Sequence, residues 1–201
     1  MKGPPLQSGK EEGSPLGREV PYPERYCPEL LFPIPRSCNR DQFALEGPLP
    51  FRGVDIWNAY ELSWLEPGGK PRIATAELRI PADSPCLIES KSLKLYLNSL
   101  NQAVFSSQKE VEEALASDLG RACGAAVGLR LFDEASSTAP EPLSGFCLDS
   151  LEIETSCYEV DPSLLKANEA AILSETLYSH LFRSNCLCTG QPDWASLSIS
   201  Y

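Results

Sequence analysis

The residues best suited to chemistry lie near the end of the sequence, between Ser184 and Trp194. Cys186 stands seven residues before Asp193, and the run Gly190–Pro192 between them predicts a turn that could bring the two together. A cysteine is a competent nucleophile when part of it is thiolate, and a nearby carboxylate can give or accept a proton. An inert buried cysteine followed by a turn aspartate would give the same pattern. The spacing alone therefore leaves both interpretations open.

Other kinds of catalytic or cofactor site find less support in the sequence. His180 is the only histidine and no Gly-x-Ser-x-Gly motif accompanies it, so a surface or packing role is the simpler interpretation. Cys186 and Cys188 form one close pair, whereas a structural zinc site needs two pairs or a pair with histidines; we therefore predict no metal site. Gly68 and Gly69 fall in a turn signal and not in a phosphate-binding loop after a strand. A thiol-rich metal-binding protein remains an alternative because eight cysteines are present.

Composition and charge restrict the class of partner. The chain has 201 residues with 42% hydrophobic and 22% charged, which is ordinary for a globular protein. Its formal net charge of −11 argues against binding to nucleic acid or to an anionic membrane surface. Met1–Leu6 lacks the apolar run of a secretory signal and no stretch of 18 apolar residues occurs. We therefore expect a cytoplasmic protein with mostly free thiols.

The pattern of apolar residues predicts an α+β arrangement in the first two-thirds of the chain. Residues 1–28 are rich in Pro, Gly, Glu and Ser and predict a flexible arm. Val54–Leu65 and Arg72–Ile80 predict an antiparallel hairpin, and Ala126–Phe132 predicts a further strand. Two helices are expected between them, one from Glu89 to Leu100 and one from the Ser107 capping box to Gly124.

The last third of the sequence is less regular. Leu173, Leu177 and Leu181 recur at intervals of four, which predicts a helical stretch within Ser163–Phe182. Cys147–Glu159 could supply a strand pair. Asp193–Tyr201 alternates apolar residues with serine and predicts a strand, one for which the sequence offers no obvious partner.

Four segments resemble one enzyme family. They are Pro35–Arg40, Ile56–Leu65, Glu89–Ser99, and Ser184–Leu187 with Gln191–Trp194. In this order they are similar to the strap, the first long strand, the signature motif and the active-site segment of the nitrile reductases that convert 7-cyano-7-deazaguanine to 7-aminomethyl-7-deazaguanine in queuosine modification of tRNA. The resemblance is to the long, two-module form and covers residues from about 33 onward.

The resemblance implies a fold and a set of catalytic residues. The fold is the tunnelling fold, an antiparallel sheet with two helices packed on one face, assembled around a barrel shared in a homodimer. Cys186 would add to the nitrile carbon to form a thioimide, two NADPH would supply the hydrides, and Asp193 would supply protons.

The signature motif and the residues before it carry the binding roles that the resemblance implies. Glu89 would accept hydrogen bonds from the deazaguanine edge, with backbone groups of Leu87 and Ile88 beside it. Ser90 and Lys91 would contact NADPH. Lys91 and Lys94 would provide local positive charge for its phosphates, although lysines on a solvated helix face would look the same.

The resemblance also predicts a division into modules. Residues 1–28 would be the arm, 29–165 the first module with its strap, and 166–201 a linker helix with the first strand of a second module. We expect that second module to be incomplete, because the family continues beyond the position of Tyr201 and carries further binding residues there. The chain alone would then be weakly active or inactive. An inactive fragment that only pairs with other subunits is a second alternative.

Overall fold

The computed structural model describes residues 22–43, 47–133, 141–157, 161–168, 170, 172–185 and 190–201. The chain forms two compact units, Met1–Thr138 with two of the described sheets and Ala139–Tyr201 with one. The division between them falls earlier than residue 165, where the sequence predicts that the functional modules meet, and the roles given to those modules stay a prediction. Within the described ranges, no helix combines the length and the apolar character needed to cross a membrane.

The first unit contains five of the strands and three helices of the described chain. In order they are β1 (Pro33–Pro35), α1 (Ser37–Arg40), β2 (Val54–Leu65), β3 (Pro71–Pro81), β4 (Cys86–Ile88), α2 (Ser90–Ser99), α3 (Gln108–Cys123) and β5 (Gly128–Asp133). β2, β3 and β5 form one antiparallel sheet in that order, and β1 pairs antiparallel with β4 in a second, two-stranded sheet.

The predicted hairpin and both predicted helices are confirmed. Between β2 and β3, Gly68 and Gly69 have φ values of 101° and 86°, which glycine adopts without steric cost. The side chain of Ser107 accepts a hydrogen bond from the Glu110 N–H (3.2 Å) at the start of α3. Gly124 ends that helix in the left-handed conformation at φ 71°.

Both long helices pack on the same face of the three-stranded sheet. The core consists of the inward side chains of β2 and β3 with the apolar faces of α2 and α3, namely Leu62, Trp64, Leu78, Ile80, Leu93, Tyr96, Leu97, Val111, Leu115 and Leu119 among others. The α+β class, with two helices covering one face of an antiparallel sheet, is thereby confirmed.

Residues 22–28 belong to the packed unit and not to the predicted arm. Tyr26 packs its ring edge-on against Phe105 with 5.9 Å between centroids, and the Cys27 N–H donates to Ser99 Oγ (3.2 Å). Residues 1–21 lie outside the described ranges, so the prediction of an arm there is untested.

Truncation of Leu115 should measure how strongly the core holds the first unit. Leu115 lies in the middle of α3 and is 0% exposed. Leu115→Ala removes buried methyl groups and leaves a cavity, so we expect the free energy of unfolding to fall by about 3 kcal/mol in urea titrations. Val104→Ala, at a side chain that is 59% exposed, is the matched control and should change it by less than about 0.5 kcal/mol. Equal effects of the two variants would contradict this packing.

The second unit is built on a hairpin of β7 (Thr176–Asn185) and β8 (Pro192–Ser200). A short strand, β6 (Phe146–Cys147), pairs parallel with the start of β7. Gly145, at φ 112°, precedes β6 and lies so close to β7 that an added Cβ would stand 2.2 Å from the Thr176 carbonyl oxygen. Only glycine therefore fits where the chain joins this sheet.

Two predictions for this region are wrong. The helix expected within Ser163–Phe182, and with it the linker helix of the second module, is replaced by β7 and by a single 3-10 turn at Pro162–Leu164. Residues 176–185 are mostly β-branched, aromatic or small polar types, which have low helix propensity. Pairing with β8 therefore outweighs the four-residue spacing of the leucines. β8 itself is present as expected, but it is paired along its length with β7 and is not without a partner.

Candidate functional site

Glu89 caps the N-terminus of α2 with its own carboxylate. Oε1 accepts the Lys91 N–H and Oε2 accepts the Ser92 N–H, both at 2.8 Å, and the Ser90 hydroxyl donates to Oε1 at 3.3 Å. The positive end of the helix dipole favours a negative charge at this position. The residue is only 4% exposed, so this carboxylate is fixed in direction before any ligand arrives.

The two residues before Glu89 differ in what their backbones can offer to a ligand. The Glu89 N–H donates to the Phe32 carbonyl (2.9 Å) and the Arg36 N–H donates to the Pro85 carbonyl (3.0 Å). Because hydrogen-bonded positions alternate along antiparallel strands, the backbone of Leu87 faces β1 and that of Ile88 faces away from it. Ile88 is nevertheless 1% exposed. Any substrate contact with its backbone, and likewise with the buried carboxylate of Glu89, would therefore need a local opening.

A groove lies beside the first turns of α2, between the helix and β2. It has a cavity volume of about 390 Å³ and is lined by Trp57 and Tyr60 of β2 and by Ser90, Lys94 and Asn98 of α2, with leucines at its floor. Ser90 and Lys94 are exposed. The register of β2 against β3 shifts between Ala59 and Leu62, which is where the groove meets the sheet. Of the two predicted cofactor residues, Ser90 lines this groove and Lys91 does not.

Asp193 lies on β8, directly opposite Ser184 of β7. The next pair, Asn185 with Pro192, is the last before the connection between the strands. Cys186 and Cys188 lie outside the described residues. The structure therefore sets the position of the predicted proton donor at the end of the hairpin but not that of the predicted nucleophile.

Pairing across the hairpin puts Asp193 on an apolar face. Residues at alternate positions share a side, so Asp193 shares its side with Ala195, Leu197 and Ile199 of β8. Their partners on β7, which are Phe182, Ser179 and Leu177, lie on the same side. This face is open in the isolated chain, since the residues of β8 are exposed.

His180 is part of a polar cluster near the middle of the same hairpin. Its Nδ1 lies 2.6 Å from the Ser196 hydroxyl, while Asp149 accepts the His180 backbone N–H (3.1 Å) and the Ser179 hydroxyl (2.6 Å). The hydrogen bond from Ser179 lowers the pKa of Asp149. Because the carboxylate meets the backbone and not the imidazole, these residues do not form a Ser-His-Asp relay. Over the described parts of the chain, no three His, Cys, Asp or Glu side chains are grouped so as to hold a metal ion.

Two buried polar centres were not predicted from the sequence. Arg36 is 8% exposed and forms an ion pair with Asp55, and its Nε donates to Ser84 Oγ (3.0 Å). Asp118 accepts hydrogen bonds from the phenols of Tyr26 and Tyr96 and from Arg121. A signal existed for Asp118, because it falls on the apolar face of α3. Arg36 gave none, because its partners are 19 and 48 residues away.

The Asp118 centre makes the stability depend on pH at high values. Burial raises the pKa of Tyr26 to about 12. A tyrosine in the unfolded chain ionises near pH 10, so between about pH 10 and 12 the unfolded state releases a proton that the folded state keeps. We therefore expect the free energy of unfolding to fall as pH rises through this range, and to fall less steeply in Tyr26→Phe. Burial also raises the pKa of Tyr96, which leaves part of the decline in that variant. Parallel urea-unfolding profiles of the two proteins from pH 8 to 12 would contradict the assignment.

Comparison with known proteins gives consistent matches. The family model described as "Nitrile reductase, 7-cyano-7-deazaguanine-reductase N-term" matches residues 22–131, which lie within the first unit. Three relatives carry the name NADPH-dependent 7-cyano-7-deazaguanine reductase. The protein of Azoarcus sp. (strain BH72) is 52% identical over 196 residues, that of Chromohalobacter salexigens 52% over 192, and that of Burkholderia lata 51% over 193. The matches cover 94% of this chain and 68%, 69% and 70% of those relatives, so both units take part in the similarity.

Proposed function

Since this chain belongs to the nitrile reductase family of the 7-cyano-7-deazaguanine reductases, we propose that it reduces 7-cyano-7-deazaguanine to 7-aminomethyl-7-deazaguanine with NADPH. The observation that carries the proposal is the carboxylate of Glu89. It lies within the segment matched by the family model, is buried, and is held in a fixed direction by two backbone N–H groups of α2.

Glu89 is suited to bind the guanine-like edge of the substrate. That edge presents N–H donors, and a carboxylate has about four lone-pair sites on two oxygens. The backbone donors of Lys91 and Ser92 occupy one site on each oxygen, and the hydroxyl of the exposed Ser90 can rotate away from its longer contact. Two acceptor sites then remain for a pair of substrate N–H groups.

NADPH fits the residues that follow Glu89. When bound, it would supply hydride, two equivalents for the four-electron reduction of a nitrile to an amine. Glu89 already occupies the backbone N–H groups of the first helical turn, so anionic groups of the cofactor would be held by side chains. Ser90, Lys91 and Lys94 provide a hydroxyl and two ammonium groups at this end of α2, and Ser90 and Lys94 line the groove.

Covalent capture and proton transfer would come from the second unit. The Cys186 thiolate adds to the nitrile carbon, and the C≡N triple bond becomes the C=N bond of a thioimide whose nitrogen takes up one proton. Asp193 is proposed to donate that proton. Its place at the end of the hairpin supports the role, because Asp193 lies opposite Ser184 and Cys186 follows Ser184 by two residues in the sequence.

The wider setting of the reaction is also proposed. The product would serve queuosine modification of tRNA in the cytoplasm, and the absence of disulfides among the six described cysteines suits a reducing compartment. The net charge of −11 supports a protein that handles the free base and does not bind tRNA directly. The open apolar face of the hairpin supports assembly as a homodimer with a tunnelling-fold barrel.

Intact-mass spectrometry of the 201-residue chain tests the proposal. With 7-cyano-7-deazaguanine and no cofactor, we expect an adduct of one substrate mass per chain. Addition of NADPH should release 7-aminomethyl-7-deazaguanine with only slow loss of NADPH absorbance, because weak activity is expected of the chain alone. A folded chain that forms no adduct at saturating nitrile would contradict capture by this protein. An adduct that NADPH does not discharge would contradict the reduction but not the binding site.

A further inference from the structure

The short strand β1 pairs with the segment that leads into Glu89. β1 pairs with β4 in register, with Pro33 opposite Ile88 and Pro35 opposite Cys86. β4 passes directly into Glu89, the N-cap of α2. The backbone from Cys86 to Glu89 is therefore shaped by a strand from a distant part of the chain.

At one end of this pairing, Phe32 holds the main chain of Glu89. The Glu89 N–H donates to the Phe32 carbonyl (2.9 Å), and the Phe32 N–H donates to Ser92 Oγ (3.0 Å). The same hydroxyl donates to the Glu89 carbonyl (2.7 Å). Ser92 is fully buried, so these bonds are shielded from competition by water.

At the other end, Arg36 holds the start of β4. Its N–H donates to the Pro85 carbonyl (3.0 Å), its Nε donates to Ser84 Oγ (3.0 Å), and Ser84 Oγ donates to the Cys86 carbonyl (2.8 Å). The guanidinium also forms the ion pair with Asp55. A planar guanidinium with several partners has little freedom to move, so the backbone bonded to it is fixed as well.

We propose that Arg36 is a positioning residue for the substrate, acting through Ser84 and β4 on the direction of the Glu89 carboxylate. This rests on the proposed function, in which Glu89 binds the deazaguanine edge. A segment that is hydrogen-bonded at both ends has less freedom to rotate about its backbone. The Glu89 carboxylate that follows this segment therefore meets the substrate in one orientation. Loss of the Arg36 hydrogen bonds would let the segment move, and substrate binding would then have to pay the entropy of ordering it.

Two variants release this end to different degrees. Arg36→Lys keeps a positive charge toward Asp55 but loses the Nε donor to Ser84. Ser84→Ala removes the same connection from the other side with a smaller change in volume. Arg79→Lys is the matched control, because it removes a guanidinium from an exposed pair with Glu77 (2.8 Å) in the same unit and outside the site.

The first readout is the nitrile concentration that gives half-maximal adduct. We expect Arg36→Lys and Ser84→Ala to raise it about tenfold, the factor that corresponds to one lost hydrogen bond in a charged network, and Arg79→Lys to leave it unchanged. In a Glu89→Ala background, Arg36→Lys should have no further effect, because its action passes through Glu89. An equal effect with and without Glu89, or no effect in either variant, would overturn the inference.

The second readout is amide hydrogen exchange, which reports on the segment without any ligand. We expect Arg36→Lys to accelerate exchange across residues 86–92 while α3 stays protected as in the wild type. Uniform acceleration of both regions, or none in residues 86–92, would overturn the inference. The proposed function fails if Glu89→Ala leaves capture unchanged or if the wild-type chain captures no nitrile. In that case, hydrogen exchange alone decides whether Arg36 fixes residues 86–92.

Discussion

Replacement of Cys186 by alanine is expected to abolish covalent capture of 7-cyano-7-deazaguanine. The adduct requires a sulfur nucleophile on the nitrile carbon, and alanine offers none, so the adduct peak in intact-mass spectra should vanish and turnover should fall by at least about 10³-fold. Binding of the substrate edge by Glu89 should survive. The variant should therefore still bind the nitrile reversibly, as measured by calorimetry.

The other thiols provide the controls for this prediction. Cys188→Ala removes the other thiol of this segment and should leave the adduct in place, which would show that Cys186 alone supplies the nucleophile. Cys123 is an internal reference, because burial raises the pKa of its thiol to about 11 and keeps it protonated and unreactive. An adduct that persists in Cys186→Ala and disappears in Cys188→Ala would exchange the roles of the two residues.

Glu89→Gln is expected to weaken binding of the nitrile by roughly 10²-fold. Glutamine can still accept one backbone N–H of α2, but its amide group points N–H donors at a substrate edge that also donates. Loss of charge-assisted hydrogen bonds is worth about 1.5–3 kcal/mol each, and about 2.7 kcal/mol corresponds to 10²-fold in affinity. The nitrile concentration for half-maximal adduct measures the effect directly.

Glu110→Gln is the matched control for Glu89→Gln. Glu110 is an acidic residue in the first turn of α3, and its carboxylate accepts the Ser106 N–H (2.6 Å). Like Glu89, it bonds a backbone N–H at the start of a helix, but it belongs to a different helix. Both variants should lower the melting temperature slightly through a weaker helix start. Only Glu89→Gln should affect capture. Capture at wild-type nitrile concentrations by Glu89→Gln would show that this carboxylate only caps α2.

Much of the first unit could be predicted because its signals are local. The Pro67–Lys70 turn, the Ser107 capping box and Gly124 each act within a few residues and each appears in the structure where the sequence puts it. The second unit could not be predicted in the same way. Leu173, Leu177 and Leu181 have the spacing of a helix face, but the pairing of β7 with β8 joins residues up to 24 positions apart, and that pairing decides the conformation.

The candidate site shows the same limit. Glu89 was predicted as a ligand-binding residue through resemblance to a family, and its second role as a helix cap was missed because Ser, Thr, Asp and Asn are the usual caps. The hydrogen bond from Arg36 to Ser84 joins residues 48 positions apart, and Ser84 in turn bonds the Cys86 carbonyl. No pattern of spacing shows such a contact before the strands are paired.

The two prolines of β1 have a consequence for the behaviour of the protein in solution. Phe32, Ile34 and Arg36 turn their backbone groups toward β4, so Pro33 and Pro35 occupy the positions whose backbone faces outward. Proline has no N–H, and the edge of β1 that faces away from β4 therefore presents carbonyl acceptors without donors. A third strand that tried to add there would leave its own carbonyls unsatisfied. β1 is thereby protected from edge-to-edge aggregation without any charged residue in the strand itself.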